Sequence, residues 1–249
     1  MDKKTYEELI VKKILLCFLV LALFFAGCSE DVVKEEVVPV IATPEKVPLV
    51  PDVEVTESAR ISDFISMHQH PELPTGCEIT SLAMLLSYYG VYAEKCDLAD
   101  NYLEKGRIED GVSFWDAFIG NPRDPGAFGC YAPVIEKTAN TYLEKLGSSI
   151  RAYDITGTEF EGLLPFICGG VPVMVWGTID CSVVVANPGW EINGKQVTFP
   201  TPEHCMVLVG YDSKTVWVAD PYHGDIRTYD REVFKDRYNT LFKQAVVLR

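Results

Sequence analysis

The sequence predicts an α+β fold in which helices from the first half of the chain pack on an antiparallel sheet from the second half. Apolar residues recur at helical spacing over residues 79–89, early in the predicted domain. From residue 171 onward the pattern changes to short apolar or alternating runs, which are typical of strands. Two of these runs flank Asn193 and Gly194, a pair that favours a β-hairpin turn. Helices first and antiparallel strands second indicate the α+β class.

The first 27 residues have the pattern of a signal peptide. Lys12 and Lys13 precede an apolar run over residues 14–25, which is too short for a membrane-spanning helix of about 20 residues. Residues 25–28 resemble a bacterial lipobox, although Phe25 stands where leucine is usual. We therefore predict a lipoprotein signal peptide over residues 1–27, with Cys28 carrying lipid, including palmitate, as the first mature residue. An ordinary secretory signal and an uncleaved anchor are the alternatives, and all three place the domain outside the cytoplasm.

Residues 28–58 are predicted to form a disordered tether, because they combine frequent prolines and like charges with no helical or strand period. Residues 59–249 are then one domain. Removing residues 1–27 takes four lysines and three acids from the 22 basic and 36 acidic residues, which leaves a net charge of −15. Such a surface argues against nucleic acid as a partner. We expect a monomer held on the extracellular face of the cell membrane by its lipid.

The first helix is predicted to begin at a capping box. Thr75 is followed three residues later by Glu78, so Thr75 is the predicted N-cap and Cys77 the second helical residue. Gly90 is the predicted stop. A proline-bearing loop over residues 69–74 precedes this helix, and residues 64–66 form a short extended run before it. The helix is expected to bury one side and to point its N-terminus at a site.

The other elements follow from the same rules in chain order. Helices are predicted over residues 97–105, 133–146, 159–166 and 231–238. Within the segment 111–130, which is rich in glycine, proline and aromatic residues, residues 121–126 are predicted to be irregular. Strands are predicted over residues 150–155, 171–179, 190–192, 196–199, 205–211, 215–219, 227–229 and 245–248. The short turn between the strands at 205–211 and 215–219 indicates that these two strands pair antiparallel.

Cys77 is a candidate nucleophile because the positive end of a helix dipole and a neighbouring imidazolium lower the pKa of a thiol to about 3.5 to 7.5. His204 heads an apolar strand, and Asp220 ends the next strand, so antiparallel pairing brings the carboxylate beside the imidazole that it would orient. His223 is the alternative base, on a turn after Pro221. This is the layout of a papain-like cysteine peptidase.

Three segments carry a family resemblance: PELPTGCEITSLAMLLSYYG, EHCMVLVGYD and VWVADP. They resemble motifs of the bacteriocin-processing, or double-glycine leader, peptidases, in the stand-alone extracellular branch that lacks a transporter. The resemblance runs from about residue 65 to the C-terminus and implies a papain-like fold with Cys77, His204 and Asp220 as a triad. It also implies that Gln69 helps to form the oxyanion hole with the Cys77 amide. Gln69 lies eight residues before Cys77, whereas the family places this glutamine six residues before.

Other residues have structural interpretations. Glu78 is expected to be a capping partner rather than a catalytic acid, and Cys205 a small core residue on the strand face opposite His204. Trp176, Trp190 and the segment 111–130 either line a substrate groove or serve core and surface packing. Four cysteines could form disulfides without a deducible connectivity: Cys96, Cys130, Cys168 and Cys181. No cysteine pair has zinc-site spacing, so neither a metal nor another cofactor is predicted.

The sequence therefore predicts a membrane-anchored extracellular thiol peptidase that cleaves peptide or amide bonds in a peptide or protein substrate through an acyl-enzyme. One alternative is a catalytically inactive surface lipoprotein that binds peptide or cell-wall components. Another is acyl transfer or cell-wall amide cleavage by the same thiol. The double-glycine preference of leader peptidases does not follow from these residues.

Overall fold

The structure is a computed structural model that describes residues 49–249. The predicted signal peptide, Cys28 and most of the predicted tether lie outside the described residues, so these interpretations stay predictions. Residues 49–58 contain no helix or strand and lie against the domain. Leu49 packs on the core, and the Tyr211 hydroxyl donates to the carbonyl oxygen of Thr56 at 2.8 Å. Among the described helices, none has both the length and the hydropathy needed to cross a membrane.

The described chain alternates between helices and strands before it ends in a run of strands. In chain order the elements are β1 (Ala59–Arg60), α1 (Cys77–Tyr88), α2 (Lys95–Asn101), β2 (Lys105–Gly106), β3 (Phe118–Ile119), α3 (Ala132–Lys145), β4 (Ala152–Asp154), α4 (Phe160–Cys168), β5 (Val173–Thr178), β6 (Gly189–Ile192), β7 (Lys195–Thr198), β8 (Glu203–Tyr211), β9 (Thr215–Asp220), β10 (Asp225–Asp230), α5 (Arg231–Thr240) and β11 (Ala245–Leu248). The predicted α+β class is confirmed.

One antiparallel sheet organises the domain, with the strand order β10-β9-β8-β5-β11-β4. Strand β8 lies in the middle of this order and pairs with β5 along one edge and with β9 along the other. The short strand β1 pairs with β8 at Tyr211 and Gly210, beyond the end of β5. Strands β2 and β3 form a separate parallel pair, and β6 and β7 form the predicted hairpin. Asn193 and Gly194 turn this hairpin with positive φ angles of 52° and 76°.

Helix α1 packs against β8, and this contact positions the candidate site. The helix buries ten of its residues, including four in its first turn, because its N-terminal end is covered by the segment around Cys130 as well as by the sheet. Trp176 on β5 is completely buried, and its indole N–H donates to the Cys130 carbonyl oxygen at 3.0 Å. Trp176 is therefore a core residue, which is the packing alternative of the two that the sequence left open.

Several predicted boundaries differ from the structure, and helix α2 shows this at both of its ends. Helix α2 begins at Lys95, because the Glu94 side chain accepts a hydrogen bond from the Asp97 amide and caps the helix two residues earlier than predicted. The same helix ends at Asn101, and the chain continues into the short strand β2. Residues 64–66, predicted as a short extended run, lie in neither a helix nor a strand, and the short strand β1 comes just before them.

Candidate active site

Cys77 is the first residue of α1, and its side chain is largely buried. Gly76 is the N-cap, and no side chain caps this end of the helix. Thr75 instead donates its hydroxyl to the carbonyl oxygens of Pro122 and Asp124, at 3.3 and 3.0 Å. The predicted capping box is therefore wrong, and Cys77 occupies the first helical position rather than the second. The backbone N–H of a residue at this position has no intrahelical acceptor.

His204 and Asp220 form a buried hydrogen-bonded pair on the adjacent strands β8 and β9. Nε2 of His204 and Oδ1 of Asp220 are 2.7 Å apart. Because Nε2 faces a carboxylate it carries a proton, and Nδ1 is left to accept one. Burial opposes ionisation of Asp220, but the hydrogen bond and charge of His204 outweigh it and lower the pKa of Asp220. The structure thus brings these two predicted site residues together.

Cys77, His204 and Gln69 all line one cavity of about 340 Å³. Asp220 is not in its lining and lies behind His204, as an orienting group requires. The cavity is open to solvent and has an apolar wall, formed by Ala127, Phe128, Ile179, Phe199 and Pro202. The segment 111–130 therefore does contribute to the groove, through its residues 126–128. An apolar wall with few polar groups is the usual form of a site that binds part of a peptide.

Gln69 reaches the cavity from the loop before α1. Its side chain is buried, with Nε2 donating to the Pro74 carbonyl oxygen at 2.8 Å and Oε1 lacking a hydrogen-bond partner. Lys95 holds the loop, because its Nζ donates to the carbonyl oxygens of His68 and Gln69 at 2.5 and 3.1 Å. The eight-residue spacing in the sequence therefore still leaves Gln69 at the cavity that contains Cys77.

Glu78 is not a capping residue, because its carboxyl turns into the protein rather than back over the helix end. The side chain is 0% exposed. Its Oε1 accepts a hydrogen bond from the Cys130 amide at 2.7 Å, and its Oε2 accepts one from the Cys77 thiol at 3.3 Å. Burial raises the pKa of Glu78 to about 7, although these hydrogen bonds act in the opposite direction. The predicted capping role of Glu78 is wrong.

Glu203 is a second buried acid, directly before His204 on β8. It is about nine-tenths buried, and its Oε1 has no hydrogen-bond partner. Burial first, and the nearby charge of Glu78 second, raise the pKa of Glu203. Gly129 covers both acids closely: a Cβ on it would lie 2.5 Å from Glu78 Oε1 and 3.3 Å from Glu203 Oε2. The two carboxyls therefore lie near each other beneath Gly129, where burial and like charge disfavour the ionisation of both.

The pKa of the Cys77 thiol depends on its burial and on both acids. Burial, followed by the charges of Glu78 and Glu203, raises its pKa well above the ordinary value, and a hydrogen bond from the Cys205 amide only partly opposes them. The expected lowering of this pKa by the helix end and an imidazolium is therefore wrong for this structure. The reason is first that the sulfur is buried and second that two acids lie beside it.

The remaining candidates lie elsewhere. His223 is partly exposed, pairs with Asp180 through Nε2 and Oδ1 at 2.8 Å, and does not line the cavity. Cys205 is completely buried, as predicted for a core residue. All six cysteines of residues 49–249 are free thiols, so no disulfide is formed among them.

The sequence reasoning missed the two acids as a pair, although a signal was present. Glu78 lies four residues before Leu82, which was assigned to the buried side of the same helix. Glu203 lies two residues before Cys205 on one strand, and therefore on the same face as a residue that was assigned to the core. The sequence positions of both acids therefore matched those of residues that face the core.

The chain is similar to a family of peptidase-like proteins and to individual proteins from two Bacillus species. Residues 61–246 match the model of the Peptidase_C39 like family. The Bacillus subtilis protein YvpB, which is uncharacterized, is 30% identical over 207 residues, covering 79% of this chain and 78% of YvpB. A Bacillus anthracis crystal structure that carries the name C39-like peptidase is 30% identical with a TM-score of 0.71, over 78% of this chain and 98% of the other. The predicted papain-like fold is confirmed.

Proposed function

Because the chain belongs to the Peptidase_C39 like family, a family of cysteine peptidases, we propose that it hydrolyses peptide or amide bonds with Cys77 as the nucleophile. One observation carries the proposal. Cys77 and His204 line the same cavity, and the Asp220 carboxylate behind His204 occupies Nε2 and so leaves Nδ1 for the thiol proton. A nucleophile, a base and a group that orients the base are the parts that such catalysis needs.

The chemistry follows from these positions. The Cys77 sulfur forms a bond to the carbonyl carbon of the substrate while its proton moves to Nδ1 of His204. The resulting imidazolium is stabilised by Asp220 and then donates that proton to the leaving nitrogen as the C–N bond breaks. Water, deprotonated by His204, attacks the thioester, and the sulfur departs and is reprotonated. The products are a carboxylic acid and an amine.

Two donors are available for the oxyanion that forms during each attack. The Cys77 backbone N–H has no acceptor within its helix. Gln69 Nε2 uses one hydrogen on Pro74, and the second is free to face the cavity that Gln69 lines. One such donor is worth about 3 to 4 kcal/mol of the barrier.

The raised pKa of the thiol affects how attack begins. A thiol beside two carboxyls is protonated at neutral pH, so the proposed enzyme does not rest as a thiolate and imidazolium ion pair. Proton transfer to His204 then accompanies attack, as for an activated hydroxyl nucleophile. The rate is expected to rise with pH well above neutrality, since the thiolate fraction rises there.

The test is turnover of a fluorogenic peptide library by the full chain, with products identified by mass spectrometry. Cys77→Ala is expected to reduce kcat/KM by about 1,000-fold or more. Cys205→Ala, which removes a buried thiol nearby, serves as the matched control and is expected to retain turnover. Turnover that persists in Cys77→Ala, with folding verified by circular dichroism, would refute the proposal.

A second candidate function is binding without hydrolysis, by a surface lipoprotein that holds a peptide or cell-wall component. It is favoured by the hydrogen bond of the thiol to Glu78, which ties up the sulfur. Iodoacetamide distinguishes the two functions. If the site is active, His204 accelerates alkylation of Cys77, so the unmodified chain should react faster than His204→Ala. Equal alkylation of both proteins supports the binding function. An amine acceptor added to the turnover assay distinguishes acyl transfer from hydrolysis.

We also propose that the protein acts as a monomer on the extracellular face of the cell membrane, held there by lipid on Cys28, and cleaves peptide or protein substrates. Support comes from the sequence pattern of residues 1–28 and the strongly acidic composition. Incorporation of labelled palmitate into the expressed chain is expected, and Cys28→Ser should abolish it. Label in Cys28→Ser at the level of the unmodified sequence would refute the anchor.

A further inference from the structure

We propose that Cys77, Glu78 and Glu203 form a binding site for a divalent transition metal ion of the zinc class, which blocks the nucleophile while it is bound. The sulfur and one carboxylate oxygen from each acid all lie within 4.8 Å of one another. The proposed metal is a reversible inhibitor and not a cofactor of hydrolysis. Binding itself does not depend on the proposed peptidase activity.

Glu203 gives the first reason to place a ligand here. Its carboxyl is about nine-tenths buried and Oε1 has no hydrogen-bond partner. Within residues 49–249 neither Glu203 nor Glu78 forms an ion pair with a lysine, arginine or histidine. Buried acids in natural proteins are normally paired with a cation or coordinated to a metal. A bound cation would supply the charge that this pair lacks.

The donor set indicates which cation. A thiolate is a soft ligand that zinc, cadmium and cobalt accept, whereas calcium and magnesium prefer oxygen alone. Ligand atoms around tetrahedral zinc are about 3.5 Å apart, as follows from bond lengths of about 2.3 Å to sulfur and 2.1 Å to oxygen. The ligand atoms lie within 4.8 Å of one another, so they need to close by roughly 1.3 Å at most. Glu203 has three rotatable side-chain bonds and an Oε1 without a hydrogen-bond partner, so its carboxyl is the group that can move.

Water from the cavity can complete the coordination of the proposed ion, and a neighbouring backbone amide orients one of its ligands. Cys77 and Glu203 line the open cavity, so water can fill a fourth position and the ion has a path to the site. Glu78 is already oriented, because the Cys130 amide holds its Oε1 at 2.7 Å and leaves Oε2 toward the sulfur. A bound ion would require the thiol to release its proton, and the sulfur could then no longer attack a substrate.

The first experiment titrates the full chain with Zn²⁺ by isothermal calorimetry and compares Glu203→Gln. The isosteric amide removes the charge and weakens ligation, so affinity should fall at least about tenfold. Two matched controls are expected to bind as the unmodified chain does. Glu144→Gln removes an exposed acid, and Asp180→Asn disrupts the partly exposed His223 pair, the competing surface site. Affinity of Glu203→Gln within twofold of the unmodified chain overturns the proposal.

A second measurement keeps the test independent of protein stability and of activity. Co²⁺ bound through a thiolate gives a sulfur-to-metal charge-transfer absorption band in the near ultraviolet. The band is expected in the unmodified chain and should be absent in Cys77→Ser. No band in the unmodified chain, or a band that persists in Cys77→Ser, overturns the proposal. Metal binding with no turnover of any peptide would leave this site intact and refute only the proposed hydrolysis.

Discussion

Replacing Glu78 with glutamine should make the protein more stable at alkaline pH, even though the change removes a charge beside the candidate nucleophile. Glutamine has the same shape as a protonated glutamate. Its Oε1 can keep the hydrogen bond from the Cys130 amide, and its Nε2 takes the place of Oε2 beside the Cys77 sulfur, to which it can donate. The variant therefore keeps the side chain at position 78 uncharged at every pH, as Glu78 is at low pH.

The magnitude follows from the pKa. Burial raises the pKa of Glu78 from 4.5 to about 7. Because the folded protein holds this proton to a higher pH than the unfolded chain, the proton contributes stability that is fully present below pH 4.5. That contribution is lost as pH rises through 7. Each unit of pKa shift corresponds to about 1.4 kcal/mol, so the free energy of unfolding should fall by about 3 kcal/mol over this range. Glu78→Gln has no proton to lose at this position and should not show the fall.

The assay is urea unfolding of the full chain at pH 4.5, 6 and 8, for the unmodified sequence and for Glu78→Gln. The two free energies of unfolding should be similar at pH 4.5, and the variant should be more stable by about 3 kcal/mol at pH 8. Glu144→Gln, an exposed acid on α3, should reproduce the unmodified curve. A variant that is less stable than the unmodified chain at pH 8, or that keeps the same slope with pH, contradicts the burial argument.

Three further predictions concern the surroundings of the site. Lys95→Met should lower kcat roughly tenfold with little change in KM, because the loop that carries Gln69 loses its anchor; steady-state kinetics test this, and an unchanged kcat would contradict it. Asp220→Asn should lower kcat roughly 100-fold to 10,000-fold by removing the charge that stabilises the His204 imidazolium, and stopped-time assays measure the loss. Gly129→Ala should cost about 1 to 3 kcal/mol of unfolding free energy, because its Cβ would meet the buried carboxyl at 2.5 Å; a urea midpoint within error of the unmodified chain would refute that contact.

The fold was largely predictable because its strongest signals are local. The apolar spacing of residues 79–89 and the Asn193 and Gly194 turn each fix one element without help from distant residues. The start of helix α2 was predicted two residues too late, at Asp97. Both Glu94 and Asp97 are possible N-caps, and the Glu94 side chain is the one that caps the helix. Which residue caps the helix depends on the direction from which the chain enters it, and the sequence alone does not specify that direction.

The chemistry of the site was less predictable than its position. A cysteine at a helix start and a histidine on a strand indicate that a nucleophile and a base meet. The pKa of the thiol, however, is raised first by burial and then by two acids that are 125 positions apart in the chain. Strand β8 begins at Glu203, whereas the prediction began it at residue 205 with His204 at its head. The burial of Glu203 becomes visible only when α1 is packed on β8.

That packing explains why the acids and the catalytic residues occur side by side in the sequence. On α1 the nucleophile is followed directly by an acid, and on β8 the base is preceded directly by one. When the helix docks on the strand, Cys77 and His204 reach the cavity, while Glu78 and Glu203 meet inside under Gly129. A single contact between two elements therefore assembles the reactive pair and the carboxyl pair together. Any shift of α1 along β8 must change the environment of the thiol at the same time as its distance from the imidazole, so reactivity at Cys77 should report directly on how closely this helix is docked.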